Sequence, residues 1–180
     1  YKKFITKNFM ENFSGLTPEE RARLLDLEKS VELDKARPKI KKDFLSFVKY
    51  VWPEFIEGSH HKKINKKFND LASGKIKRLI INMPPRHTKS EFASYLLPAW
   101  MVGLDPRLKI IQATHTADLA IDFGRKTKNL VDQKNYKQLF DTRLMEDSQA
   151  AGKWKTEQGG EYFAAGVGGA ITGRGADLLI

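Results

Sequence analysis

The sequence contains no cysteine. That excludes a disulfide framework and any thiolate metal centre, and it fits a reducing compartment. It also lacks any apolar run of membrane-spanning length, and its opening, "YKKFITKNFM", has lysines but no apolar core of signal-peptide length. These absences predict a soluble, intracellular chain. A third absence is local: the stretch "RLIINMPPRHTKSEFASYLLPAW", residues 78–100, has no glycine. It nevertheless reads as a buried strand, a turn and a helix. At 180 residues the chain suits one α/β domain, since a domain of about 150 residues already buries about 70% of its unfolded surface.

Positive charge is plentiful but unevenly placed. Residues 1–90 hold 21 Lys+Arg against 11 Asp+Glu, whereas residues 91–180 hold 11 of each. Between Pro38 and Ser90 the count is 13 against 4, in runs such as "KIKK", "HHKKINKK" and "KIKR". Such runs are either a solvated surface or an attraction for a polyanion, whether nucleotide phosphates or a nucleic-acid backbone.

Thr17, Pro18 and Glu20 supply a helix start with hydroxyl cap, first-position proline and reciprocal acid. The helix that follows is mostly charged. "KKDFLSFVKYVW" predicts a second helix with Phe44, Phe47, Val48 and Val51 on one face, ended by Pro53. "HHKKINKKFNDLAS" predicts a third, with Ile64, Phe68 and Leu71 inward and lysines outward. The period then changes. Leu79, Ile80 and Ile81 form a short continuous apolar run, as in a parallel strand covered on both faces. "SEFASYLLPAWMVG" is a helix with Pro98 as kink or end, "LKIIQAT" a strand, and "TADLAIDFGRKTKNLVDQ" a helix with Leu119, Phe123 and Leu130 on one side. "GEYFAAGV" and "ADLLI" are further strands. This alternation predicts an α/β fold with βαβ units, a parallel sheet and right-handed crossovers.

The turn at "MPPRHTKS" places Lys89 and Ser90 where the phosphate-loop pattern GxxxxGK[ST] ends, with Met83 and Thr88 at its glycine positions. A helix opening at Lys89 offers free amides and a favourable dipole to an anion. There Lys89 would reach the β and γ phosphates and Ser90 would lend its hydroxyl to Mg²⁺. Arg86 adds a guanidinium for transferring charge, while Pro84 and Pro85 stiffen the bend. Against this, Thr88 at positive φ would cost about 1–2 kcal/mol, and any strand-to-helix turn has free amides without being a site.

At "NMPPRHTKSE" the chain resembles the large terminase subunit of tailed bacteriophages. That family often carries PPRHGKSE here, so the departure is at Thr88. "VWPEFIEGSHHKKI", "IIQATHTADLAIDFGRK" and "GGEYFAAGVGGAITGRGADLLI" fit the same family in the same order. The resemblance implies a P-loop NTPase core over residues 43–180, preceded by a helical extension over residues 1–42. It implies an ATPase motor that uses ATP and Mg²⁺ to move double-stranded DNA into a capsid. Such a motor assembles as a homo-oligomeric ring at the portal protein, beside a small terminase subunit, in the host cytoplasm. In the family "ADLLI" continues into two acidic residues, and an endonuclease domain follows; neither is expected within these 180 residues.

Carried over residue by residue, Lys89 and Ser90 contact phosphate and Mg²⁺. Pro85, Arg86, His87 and Thr88 form the loop, Arg86 with a catalytic role. His60 and His61 lie where the family contacts adenine; the other reading is two surface histidines on a basic helix. Arg174 in "TGRG" is either a γ-phosphate sensor or a loop charge. Thr114 and His115 have the spacing of a nucleic-acid-touching segment, or are helix-capping punctuation. Two rivals stand beside the motor: a helicase-like ATPase, and a basic DNA-binding module without catalysis.

Overall fold

The computed structural model describes residues 16–169 and 171–180. The opening stretch read above for a signal peptide lies outside them. Two compact units are present, Tyr1–Pro38 and Lys39–Ile180.

Helix α1 spans Pro18–Lys42. Its start is the reciprocal cap foreseen: the Thr17 amide and hydroxyl donate to Glu20 at 2.8 and 2.9 Å, and the Glu20 amide donates to Thr17 Oγ1. Those bonds hold the Glu20 carboxyl below its usual pKa. Leu25, Leu27 and Val31 of this helix are exposed.

In the larger unit the aromatic residues of short helices make the core. α2 (Phe44–Val51) buries Phe44, Phe47 and Val48, and α3 (Ser59–Ala72) buries His61, Ile64 and Phe68. Phe44 meets Phe68, Phe92 and Trp100 edge-on at 4.9–5.6 Å. Each such ring contributes about 1.5–3 kcal/mol through burial alone. After the turn, helix begins at Lys89 and widens into a π-helical segment, Glu91–Leu96, before α4 (Leu97–Leu104). The wide turn lies just ahead of Pro98, where the Leu97 amide reaches back to the Phe92 carbonyl. Pro98 has no amide to give and its ring crowds the turn before it, so the register shift lets the helix continue rather than end.

The sheet overturns the expected all-parallel core. Its five strands run in the order β2-β3-β4-β1-β5, with β1 Lys109–Thr114, β2 Leu144–Ala150, β3 Lys153–Thr156, β4 Glu161–Gly166 and β5 Leu178–Leu179. β1 pairs in parallel with β4 and β5, but β2–β3 and β3–β4 are antiparallel. The sheet is therefore mixed, and a P-loop parallel core is not what this chain forms. The reason is connection length: "AG" joins β2 to β3 and "EQGG" joins β3 to β4, whereas a parallel pair needs a crossover of about a dozen residues or more.

A second correction concerns "LII" at residues 79–81, which forms no strand. Ile80 is 86% exposed. Three apolar residues suffice for a strand only when a neighbouring edge pairs with them, and none does here. A smaller correction falls on α5 (Ala117–Asp132), where Leu119 is exposed and the buried face is Ala120, Phe123, Gly124, Thr127, Leu130 and Val131. α5 lies against the sheet so closely that a Cβ on Gly124 would come within 2.4 Å of the Ala151 carbonyl. Beneath it Trp154 and Tyr162 stack across strands at 5.0 Å. The short α6 (Lys134–Leu139) buries Tyr136, whose hydroxyl donates to the Ala99 carbonyl. No helix among the described residues is long and apolar enough to cross a membrane.

Candidate functional site

The turn between the extended segment and the helix has two non-glycine residues in the left-handed region, Arg86 (φ 62°) and Thr88 (φ 59°), and among the described residues no other non-glycine has a positive φ. Thr88 is followed at once by helical Lys89. A left-handed residue beside a right-handed one turns consecutive amides toward the same side, which forms an anion-binding concavity. The first helical amides have no carbonyl partner within the helix, whose leading bond is Phe92 N–H to the Thr88 carbonyl at 2.9 Å. Lys89 folds its side chain back over the bend, with Nζ donating to the Met83 carbonyl at 3.4 Å. Pro84, Pro85, Arg86, His87 and Ser90 are exposed. His87 Nδ1 is 2.8 Å from the Pro85 carbonyl, a short brace across the tip.

The bend is tied to α3 by one side chain. His61 Nε2 lies 2.8 Å from Thr88 Oγ1. The Gly58 amide donates to His61 Nδ1 at 2.8 Å, so Nδ1 accepts and the proton of the neutral ring sits on Nε2. Thr88 Oγ1 then accepts from Nε2–H and donates its own hydrogen to the His87 carbonyl at 2.6 Å. The ring is only 4% exposed, wedged between Phe55 at 4.7 Å and Phe92 at 4.9 Å. Burial, with His60 beside it, lowers the pKa of His61 against the opposing pull of Glu57. The neutral form is thus favoured.

One and two turns further along α3, Asn65 and Asn69 do similar work. Their carbonyl oxygens accept from the Leu45 and Phe44 amides at the start of α2, and their amide groups donate to Asp43 Oδ1 at 2.7 and 2.8 Å. Burial opposes the charge on Asp43, but these bonds and two from Ser46 outweigh it and hold its pKa below the usual value. Residues 61, 65 and 69 form a stripe at helical spacing, so α3 is fixed to α2 by the same face that holds the bend.

His60 and His61 therefore differ. His60 lies tilted against His61 at 3.8 Å and edge-on to His87 at 5.8 Å; its Nε2 is enclosed with no hydrogen-bond partner. On the outer face of α3, Lys62, Lys63, Lys66 and Lys67 are exposed, and Lys62 alone of the four reaches an acid, Glu57, at 3.6 Å among the described residues. Glu57 also pairs with Lys49, whose hydrogen bond is the main reason its carboxyl is held below the usual pKa.

Lys89 and Ser90 also line a cleft of about 900 Å³ bounded by Leu79, Ile81, Leu97 and Ile180. The end of β5 thus opens toward the helix that begins at Lys89. Arg174 is elsewhere. Its guanidinium lies 3.9 Å over the Phe163 ring and pairs with Glu161 at 2.8 Å, in a separate small cavity with Lys109 and Ile111. It is not brought together with the loop. Thr114 and Thr116 act locally: Thr114 Oγ1 donates to the Thr116 carbonyl, and Thr116 Oγ1 caps α5 at Leu119.

The sequence reading missed the His61–Thr88 bond and the Asn65–Asn69–Asp43 network. The spacing of 61, 65 and 69 was the available signal, but it is polar and fell on a helix judged by its apolar face. No family model, curated protein or solved structure matches the chain.

Proposed function

We propose that this chain binds ATP with Mg²⁺ at residues 85–90 and serves as the ATP-hydrolysing part of a motor that moves double-stranded DNA. The observation that carries the reading is the bend itself: Thr88 at φ 59° followed by helical Lys89, with Lys89 Nζ folded back over Met83. Amides and an ammonium group gathered there suit a triphosphate, and the exposed hydroxyl of Ser90 suits the metal ion that accompanies it. Mg²⁺ would neutralise charge on the phosphate oxygens when bound. Lys89 binds and orients the phosphates, Ser90 holds the ion, and Arg86 faces solvent at the rim. The acidic residue nearest in sequence, Glu91, is engaged with Lys126 at 3.0 Å.

DNA as the partner is supported by the resemblance to terminase large subunits and by the four exposed lysines on the outer face of α3. Such a face touches phosphates without reading bases, as a motor indifferent to sequence requires. Packaging through a portal, with a small terminase subunit and a ring of like subunits, is the form of motor the resemblance favours.

Lys89→Ala tests the reading. Binding of a fluorescent ATP analogue with Mg²⁺ is expected to fall by about 100-fold, the loss of a charged hydrogen-bonding group worth about 3 kcal/mol. An unchanged affinity, in a variant that melts like the parent, would refute the assignment.

A further inference from the structure

The bend contains a strained residue that glycine would hold without cost. Threonine has a branched Cβ that meets its own backbone at positive φ, so Thr88 stays at φ 59° only if something outside the bend selects that conformation. Arg86, at φ 62°, has the same backbone problem but is exposed at the tip. Thr88 instead has a partner anchored in the core.

We infer that His61 is a positioning residue for the phosphate turn: its Nε2–H, held to Thr88 Oγ1, keeps Thr88 left-handed and so sets the direction of the amides that follow. The chain of donors runs one way. Gly58 N–H donates to Nδ1, Nε2–H donates to Thr88 Oγ1, and the Thr88 hydroxyl donates to the His87 carbonyl. Moving the ring proton to Nδ1 would set Gly58 N–H against a second donor, so that bond fixes the tautomer in which Nε2 carries the hydrogen toward the turn. Phe55 and Phe92 close the ring in from two sides, and Phe92 donates its amide to the Thr88 carbonyl. The two residues that hold His61 and the main chain of Thr88 are therefore in contact with one another through a single aromatic cluster, with Phe55 and Phe92 at 5.4 Å. His61 acts through Thr88, not on a ligand.

The consequence for nucleotide rests on the function proposed above; the effect on the backbone does not. His61→Phe keeps the ring and its packing but removes the donor. Thr88→Gly removes the need for it. In the ligand-free chain, urea unfolding of the parent, the two single variants and the double variant makes a thermodynamic cycle. Thr88→Gly is expected to change the folding constant by less than about threefold in the parent, where strain relieved and a bond lost nearly cancel, and to raise it about tenfold in the His61→Phe background. Equal effects in the two backgrounds would overturn the inference.

The same four proteins are then titrated with N-methylanthraniloyl-ATP and Mg²⁺. His61→Phe should weaken binding about tenfold, and adding Thr88→Gly should bring it back to within about threefold of the parent. A loss that Thr88→Gly does not rescue would mean that His61 touches the nucleotide directly, against the inference. If the unfolding cycle shows coupling while the parent itself binds no analogue, the positioning role stands and the nucleotide reading falls.

Discussion

Of the turns that place backbone in the left-handed region, two reach it by opposite means. Between β3 and β4, Gly159 takes φ 95° and Gly160 tucks its Cα hydrogens against the Pro106 and Leu108 carbonyls. No side chain is needed to hold that backbone, although Thr156 Oγ1 accepts from the Gly160 amide. In the turn ahead of α4, Arg86 and Thr88 occupy the same kind of conformation with side chains attached. The first turn takes its left-handed residue without strain, because that residue is glycine. The second depends on His61, which sits 27 residues earlier in the chain, and on the aromatic cluster behind it. Strain of this kind persists only where surrounding structure over-determines it, and it concentrates at functional sites.

The contrast can be broken most forcefully at the glycine turn. Gly160→Ala would put a Cβ 2.3 Å from the Pro106 carbonyl oxygen and 2.8 Å from that of Leu108. Both are backbone atoms that cannot swing aside, so a loss of about 3 kcal/mol is expected in urea unfolding. Gly159→Ala has open space around it, and only the positive φ resists it. About 1–2 kcal/mol should be lost, and a result as large as at Gly160 would show that conformation, not contact, governs the turn.

Acid supplies a gentler probe of the braced turn. The pKa of His61 is lowered in the folded chain, so the unfolded chain takes up its proton first as pH falls. The stability due to neutral His61 is fully present above about pH 6.5, the ordinary histidine value. It is lost as pH falls from there through the folded pKa, and no further below it. Urea midpoints measured from about pH 8 to about pH 5 should slope downward in this window, and His61→Phe should flatten the slope. His60 and Glu57 act on the ring as well, so the difference between parent and variant is the quantity that reports on His61.

Much of the local structure was legible because it is written in short-range terms. The Thr17–Glu20 cap, the buried faces of α2 and α3 and the strand Lys109–Thr114 follow from periodicity and capping chemistry. The loop was legible from Lys89 and Ser90 at the head of a helix. Strand direction was not, because the short links "AG" and "EQGG" lie between Gln133 and Gly160, where the pattern suggested no element, and those links force hairpins. The run at residues 79–81 misled for a related reason. An apolar triplet records a wish for burial but not the edge that would grant it, and Ile80 remains exposed.

The amino-acid order by itself determined the capped start of α1, most of the inward faces of α2 and α3 and the cationic turn at Lys89, since each depends on residues within a few positions of one another. Tertiary structure alone decided that β1 lies between β4 and β5, that Arg174 stacks on Phe163 away from the turn, and that Thr88 is held left-handed by His61. Those outcomes depend on which distant surfaces meet, and a local pattern has no term for the position of a partner that folding has yet to bring near.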